Sequence, residues 1–143
     1  MPDIRLEREF NVSPERLFDF VTKRASVLEW FGYEGMTFPA EEMDFSRKGP
    51  WFVEMVSKEG NKMKLSGHVT HVDRPKTVGF TWGWHDPEDK RGPESHVMFT
   101  VMEAAGGAKL IIDHRDLPDE DAATGHNSGW TYALGTMTRI LHG

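Results

Sequence analysis

The sequence contains no cysteine, and this absence excludes several kinds of protein at once. Without cysteine there is no disulfide framework, no thiolate nucleophile and no cysteine-ligated metal. No apolar run approaches the ~18 residues that a membrane-spanning helix requires, and the opening residues "MPDIRLEREF" lack the apolar centre of a signal peptide. We therefore expect a protein that is not inserted in a membrane and that resides in the cytoplasm.

A surplus of positive charge is also missing. The net charge is -6, and the basic residues occur as scattered pairs such as Arg47-Lys48 and Lys90-Arg91 among more numerous carboxylates. Binding to a phosphate backbone needs a concentrated positive surface. Nucleic acid is therefore not an expected partner.

Motifs for nucleotide, ester and metal chemistry are absent as well. The glycines of "AAGGAK" have the spacing of a hairpin turn and not of a phosphate-binding loop, and "NSGW" is not the Gly-x-Ser-x-Gly turn of serine esterases. His68 and His71 lie three residues apart in a predicted strand, so we expect them on opposite faces, unable to share an ion. We predict no metal site, no cofactor and no assigned catalytic residue, and we interpret His85, beside Asp86 in a polar loop, as solvated.

Aromatic and methionine side chains, in contrast, are plentiful. Five Trp, nine Phe and eight Met occur in 143 residues, a length that predicts one domain over residues 1–143. Such side chains suit a packed core or an adaptable apolar pocket. Each aromatic residue taken alone fits either interpretation equally well, whereas their number is large for the core of a small domain.

Hydrophobic periodicity predicts the order of the elements. "DIRLEREF" alternates as a strand does, Ser13 and Pro14 are typical of a helix start, and a second short helix is expected to end at Gly32. About six strands follow as a meander, with a hairpin at Ala105-Gly106-Gly107. Trp130, Leu134, Met137 and Leu141 then form one stripe of a long helix. This order predicts an α+β fold, in which helices pack on one side of an antiparallel sheet.

Three stretches of the chain together resemble a known family. They are "REFNVSPERLFDFVTKRASVLEWF", "GHVTHVDRPKTVGFTW" and "HNSGWTYALGTMTRIL", and their order and spacing resemble the activator of heat-shock-protein-90 ATPase homologue-like family of the START-like, birch-pollen-allergen superfamily. The resemblance implies a helix-grip fold: a curved antiparallel sheet of six or seven strands around a long C-terminal helix, with two short helices after the first strand. Where many relatives carry two glycines, this chain has Lys48-Gly49-Pro50, which predicts a rearranged strand edge there.

The same resemblance implies a cavity between the sheet and the long helix. Trp130 would lie on its floor with the indole N–H directed at an acceptor, His126 would lie one turn earlier, and Gly129 would allow a close approach of backbones. The wall would come from residues that equally suit a filled core, namely Trp30, Phe31, Met55, Met63, Trp82, Trp84, Met98, His114, His126 and Trp130.

Three functions remain open at this point. Members of the superfamily bind lipids, sterols, polyketides or hormones, which implies a carrier or sensor of a small hydrophobic molecule, and this is the function that we predict. A cyclase, aromatase or hydrolase would use His114 or His126 as a general acid or base. An interaction domain that stimulates a chaperone ATPase is the third alternative. A separate prediction concerns assembly: an edge strand or the exposed sheet face could support a homodimer.

Overall fold

One antiparallel sheet organises the chain in the computed structural model, which describes residues 2–142. Its seven strands have the spatial order β1-β7-β6-β5-β4-β3-β2, so the first strand pairs with the last and the others form a meander. The strands are β1 (Ile4–Phe10), β2 (Thr37–Glu42), β3 (Gly49–Val56), β4 (Lys62–Asp73), β5 (Thr77–Trp84), β6 (Ser95–Ala104) and β7 (Gly107–Arg115).

Three helices cover the concave face of this sheet. They are α1 (Pro14–Thr22), α2 (Arg24–Trp30) and α3 (Glu120–His142). α1 begins as predicted, because Ser13 Oγ accepts a hydrogen bond from the backbone N–H of Arg16 at 3.1 Å and Pro14 occupies the first turn. The backbone N–H of Asn11, just after β1, donates to His142 Nε2 at 2.9 Å and fixes the end of α3 to the sheet.

The core lies between the sheet and the helices and is rich in aromatic rings. Strand alternation points Val78, Phe80 and Trp82 of β5 inward, where all three are buried. Phe80 stacks on Phe45 with 4.3 Å between ring centroids and 10° between planes. The predicted helix-grip fold, with a curved sheet, two short helices after β1 and a long C-terminal helix, is confirmed.

Met98 lies on the opposite face of the sheet from the core. On β6 the buried residues are Val97, Phe99 and Val101, so Met98 points outward between them. A Cβ on Gly79, its partner on β5, would lie 3.2 Å from the Met98 methyl group. The prediction that Met98 lines the cavity is therefore wrong, because an apolar residue type does not by itself decide which face of a strand the side chain occupies.

A β-bulge in β4 corrects a second prediction. The pairing of β4 with β5 shifts register between Val69 and His71, and the extra residue turns His71 to the outer face that His68 also occupies. His71 Nε2 lies 2.6 Å from Thr77 Oγ1 there. The two histidines do not lie on opposite faces, because the bulge breaks the two-residue period.

Strand pairing is regular at the edge near Gly49, although the φ of Gly49 itself, +136°, lies in a region that favours glycine. β3 pairs with β4 without a shift from Gly49 opposite Val69 to Val56 opposite Lys62. The rearranged strand edge predicted for Lys48-Gly49-Pro50 is thus not seen.

No helix within residues 2–142 combines the length and the apolar character that crossing a membrane requires.

Candidate functional site

A cavity of about 610 Å³ lies between the open end of the sheet, the segment after α2 and the first half of α3. Of the residues predicted to line it, the structure places eight in its wall: Trp30, Phe31, Met55, Met63, Trp82, Trp84, His126 and Trp130. Met98 is on the other face of the sheet, and His114 lies behind the wall, as described below.

The remaining wall comes from two loop segments that the sequence analysis missed and from further residues of α3. The loop between α2 and β2 contributes Gly32, Tyr33, Glu34 and Met36, and the turn after β3 contributes Ser57, Lys58 and Glu59. On α3 the additional lining residues are Ala122, Gly125, Gly129, Tyr132 and Ala133. The signal for most of the α3 set was available, since they lie three or four residues from His126 or Trp130 and share one helix face.

Small residues on α3 keep this space open. A Cβ added at Gly125 would meet no atom within 4 Å, and one added at Gly129 would meet only Tyr33 Oη at 3.6 Å. The expectation that Gly129 permits a close approach of backbones is therefore wrong. Its missing side chain instead leaves cavity volume between Trp130 and the loop after α2.

His126 anchors two indole rings of the cavity wall. Its Nε2 accepts hydrogen bonds from Trp82 Nε1 at 3.1 Å and from Trp84 Nε1 at 3.0 Å. Its Nδ1 lies 2.7 Å from the Ala122 carbonyl, to which it donates. These partners require the neutral ring with the proton on Nδ1, and burial lowers the pKa of His126 accordingly.

His114 has the same role in the layer behind the wall. It is fully buried, and its Nδ1 accepts from Trp130 Nε1 at 3.1 Å. Its Nε2 then donates to Ser95 Oγ at 2.8 Å. Burial, with the nearby His126 as a smaller cause, lowers the pKa of His114 to about 3. The Trp130 indole thus finds an acceptor, and that acceptor is a neutral histidine.

The cavity interior consequently offers ring faces and few free polar groups. In the described part of the chain, no buried side-chain nitrogen or oxygen lacks a hydrogen-bond partner. Both nitrogens of His114 and of His126 are engaged, so neither ring presents a free base to the cavity. Asp113 points away from His114, as the strand alternation predicts, and accepts from Arg5 Nη1 at 3.4 Å on the outer face.

Polar groups gather at the mouth. Tyr33, which is 47% exposed, packs against Tyr132 with 4.8 Å between ring centroids. The backbone N–H of Glu34 donates to Tyr132 Oη at 3.2 Å. These two contacts hold the segment 31–36 against α3. Gly32 and Gly35, with φ of +82° and +80°, provide the left-handed turns within it.

Metal binding has no support in the described residues. Within residues 2–142, no group of three or more His, Asp or Glu side chains is arranged to hold an ion. The chemistry that the cavity offers is thus apolar enclosure and contact with aromatic rings, with hydrogen bonding confined to the mouth.

The sequence of the chain relates it to a protein family whose fold agrees with the one described above. The profile of the family described as activator of Hsp90 ATPase homolog 1-like protein matches residues 11–142. The chain belongs to this family, which has the START-like helix-grip fold, and proteins of that fold commonly bind hydrophobic ligands.

Solved structures show the same relationship. The chain is similar to an AHSA1 protein from Silicibacter pomeroyi, with 52% identity, 99% of this chain and 98% of that chain covered, and a TM-score of 0.93. A protein from Chromobacterium violaceum shares the fold at 19% identity, with 100% and 99% covered and a TM-score of 0.86. A protein from Mycobacterium smegmatis does so at 18% identity, with 97% and 90% covered and a TM-score of 0.80. No curated protein shows a significant match to the chain.

Proposed function

We propose that the protein binds an apolar, ring-containing small molecule in the cavity between the sheet and α3, as a carrier or sensor. The observation that carries the proposal is the cavity of about 610 Å³, whose wall is built from indole, phenyl and methionine side chains. Sites for small molecules commonly measure roughly 300–1,000 Å³ and are mostly apolar. A volume of this size suits a ligand of several fused or linked rings.

The arrangement of the tryptophans supports a ligand with flat rings. Trp82 and Trp130 lie 5.3 Å apart between centroids, and Trp82 and Trp84 lie 6.2 Å apart and nearly perpendicular. Their N–H groups are held by histidines, which fixes the orientation of the indole planes. Rings held in this way can make edge and face contacts with a flat ligand without losing much side-chain freedom on binding.

The position of the polar groups supports one orientation of the ligand. Because the interior hydrogen bonds are made within the protein, a polar group buried there would lose water without gaining a partner, at a cost of about 1–3 kcal/mol. Tyr33, Ser57 and Lys58 lie at the mouth. Ser57 Oγ accepts from the Asn61 N–H at 3.0 Å and keeps its own proton to donate. The ligand therefore enters with its apolar end first and keeps its polar end near these side chains.

Energy transfer from tryptophan to pyrenemethanol, a flat apolar ring system with one hydroxyl group, tests this function. We expect saturable quenching of tryptophan emission with one site per chain, because Trp82, Trp84 and Trp130 all line the cavity. A linear alcohol of similar volume, used as a competitor, should displace the probe only weakly. The absence of saturable quenching across a series of flat ring compounds up to their solubility limits would contradict the proposal.

A further inference from the structure

A hydrogen-bonded chain of serine, histidine and aspartate lies on the outer face of the sheet, away from the cavity. Ser66 on β4 is paired with Gly83 on β5, and it points outward because Leu65 beside it is buried. His85 follows β5, and Asp89 lies in the loop after it with a φ of +63°. The sequence interpretation of His85 as solvated is wrong, since only 11% of its side chain is exposed.

The distances between these three side chains are those of a hydrolytic triad. Ser66 Oγ lies 2.7 Å from His85 Nε2, and His85 Nδ1 lies 2.8 Å from Asp89 Oδ1. A carboxylate at Nδ1 holds the proton there and leaves Nε2 as the acceptor for the serine hydroxyl. Triads are recognised by this geometry and not by the order of residues along the chain.

A guanidinium group completes the arrangement. Arg91 Nε donates to Ser66 Oγ at 3.1 Å, and Arg91 Nη2 donates to the Ser66 carbonyl at 3.0 Å. Gly83 makes room for it, because a Cβ there would lie 2.5 Å from Arg91 Cζ. Arg91 Nη1 is held by Glu94 Oε1 at 3.0 Å. The positive charge is thus fixed beside the serine oxygen, where it favours loss of the serine proton to His85.

The carboxylate is kept ionised by a neighbouring lysine. Lys64 Nζ lies 3.2 Å from Asp89 Oδ1, and this contact lowers the pKa of Asp89. The buried pair of Ser95 and His114 provides a contrast. There the histidine donates to the serine and accepts from Trp130, so it cannot take the serine proton.

We propose that Ser66, His85 and Asp89 form a second site, which transfers the acyl group of small esters to water. Ser66 Oγ attacks the ester carbonyl while its proton passes to His85 Nε2, and the alcohol leaves with that proton as the acyl–serine bond forms. Water then attacks the acyl–serine, gives one proton to His85, and releases the carboxylic acid as Ser66 recovers its proton. Asp89 is a positioning residue.

The absence of cysteine allows a direct test of the nucleophile position. In Ser66→Cys the introduced thiol is the only one in the chain, so its alkylation by iodoacetamide reports its reactivity alone. We expect alkylation at pH 7 at least ~10-fold faster than in Ser128→Cys, an exposed position on α3, because a base and a guanidinium favour the thiolate. Adding Asp89→Asn should move the pH profile of alkylation upward, a change that a purely structural role would not produce.

Activity is tested on the unsubstituted serine. Wild-type protein should be labelled by a fluorophosphonate at Ser66, as located by peptide mass spectrometry, and should hydrolyse p-nitrophenyl acetate. Ser66→Ala should abolish the label and lower hydrolysis by about 100-fold, whereas Ser128→Ala should change neither.

Two results would overturn the proposal. One is equal hydrolysis by wild type and Ser66→Ala with no label on Ser66. The other is equal alkylation of Ser66→Cys and Ser128→Cys while both variants retain the circular dichroism spectrum of the wild type. Either result would mean that the three side chains have only a structural role, in which they fix the loop after β5 to the sheet. Neither experiment depends on the cavity, so they are independent of the proposed carrier function.

Discussion

His114 and His126 act in this protein as neutral acceptors for tryptophan N–H groups. Between them they receive the indoles of Trp82, Trp84 and Trp130, three of the five tryptophans in the chain. A protonated imidazole cannot accept these bonds. The cavity wall therefore depends on both rings remaining uncharged, and this dependence makes its stability sensitive to acid.

The free energy of unfolding should fall as the pH is lowered from 6.5 to 5. The pKa of His114 is about 3 in the folded protein, against 6.5 for an unperturbed histidine, so below pH 6.5 the unfolded chain binds more protons and is favoured. His114 alone should account for ~0.7 kcal/mol per pH unit at pH 6.5, rising to ~1.4 near pH 5, and His126 changes stability in the same direction. Urea unfolding at several pH values measures this slope.

A variant without the buried ring assigns its share of this slope. His114→Gln should reduce the slope between pH 6.5 and 5 and leave the smaller dependence that His126 contributes. A wild-type stability that is constant over this range would show that the histidines are not buried in neutral form.

At the scale of elements, α3 determines whether the cavity exists. Its cavity-facing residues include Ala122, Gly125, Gly129 and Ala133, and larger side chains there would fill the space. Glycine is unfavourable in a helix interior by about 1 kcal/mol relative to alanine. These glycines therefore destabilise the helix, and their presence is explained by the space that they leave for the cavity.

Gly129→Leu should stabilise the fold and abolish ligand binding. The new side chain has room at its Cβ, gains helix propensity and buries apolar surface in the cavity, so we expect an increase in unfolding free energy of about 1 kcal/mol or more. Gly135→Leu is the control, because a Cβ there meets nothing within 4 Å and the position does not line the cavity. Thermal unfolding with and without pyrenemethanol separates the two effects. Retained binding in Gly129→Leu would place the ligand elsewhere.

The loop between α2 and β2 should loosen when its contact with α3 is weakened. Tyr132→Phe removes the oxygen that accepts from the Glu34 N–H while keeping the ring beside Tyr33. A lost hydrogen bond of about 1 kcal/mol corresponds to roughly fivefold faster amide exchange at Glu34. The Phe31 amide, bonded to the Val27 carbonyl at 2.9 Å, is an internal control that should not change. Unaltered exchange at Glu34 would show that the tyrosine does not hold the segment.

The sequence predicted the elements well because their periodicity is local. The cap at Ser13, the alternation of β5 and the stripe of α3 are each set by neighbouring residues. The predictions from sequence were wrong or incomplete where a contact between distant residues determines the local structure. The bulge before His71 depends on pairing with β5, and the approach of Tyr33 to Tyr132 joins segments about 100 residues apart. Neither leaves a periodic signal.

At the scale of the whole molecule, the helix-grip arrangement explains why so many aromatic residues occur in a small chain. Phe45, Phe80 and Phe99 fill the closed half of the space between sheet and helices, where they are fully or almost fully buried. Trp82, Trp84 and Phe31 surround the open half. The sequence could not separate the two groups, because core and pocket use the same residue types and differ only in whether the helix opposite them carries large or small side chains.

Native mass spectrometry with a mixture of flat ring compounds tests the central claim most directly, that the cavity holds a ligand. Wild type and Gly135→Leu should each retain one compound per chain, as added mass that disappears on denaturation, and Gly129→Leu should retain none. Equal retention by all three proteins, or retention by none of them at saturating concentrations, would contradict the assignment of the cavity as the ligand site.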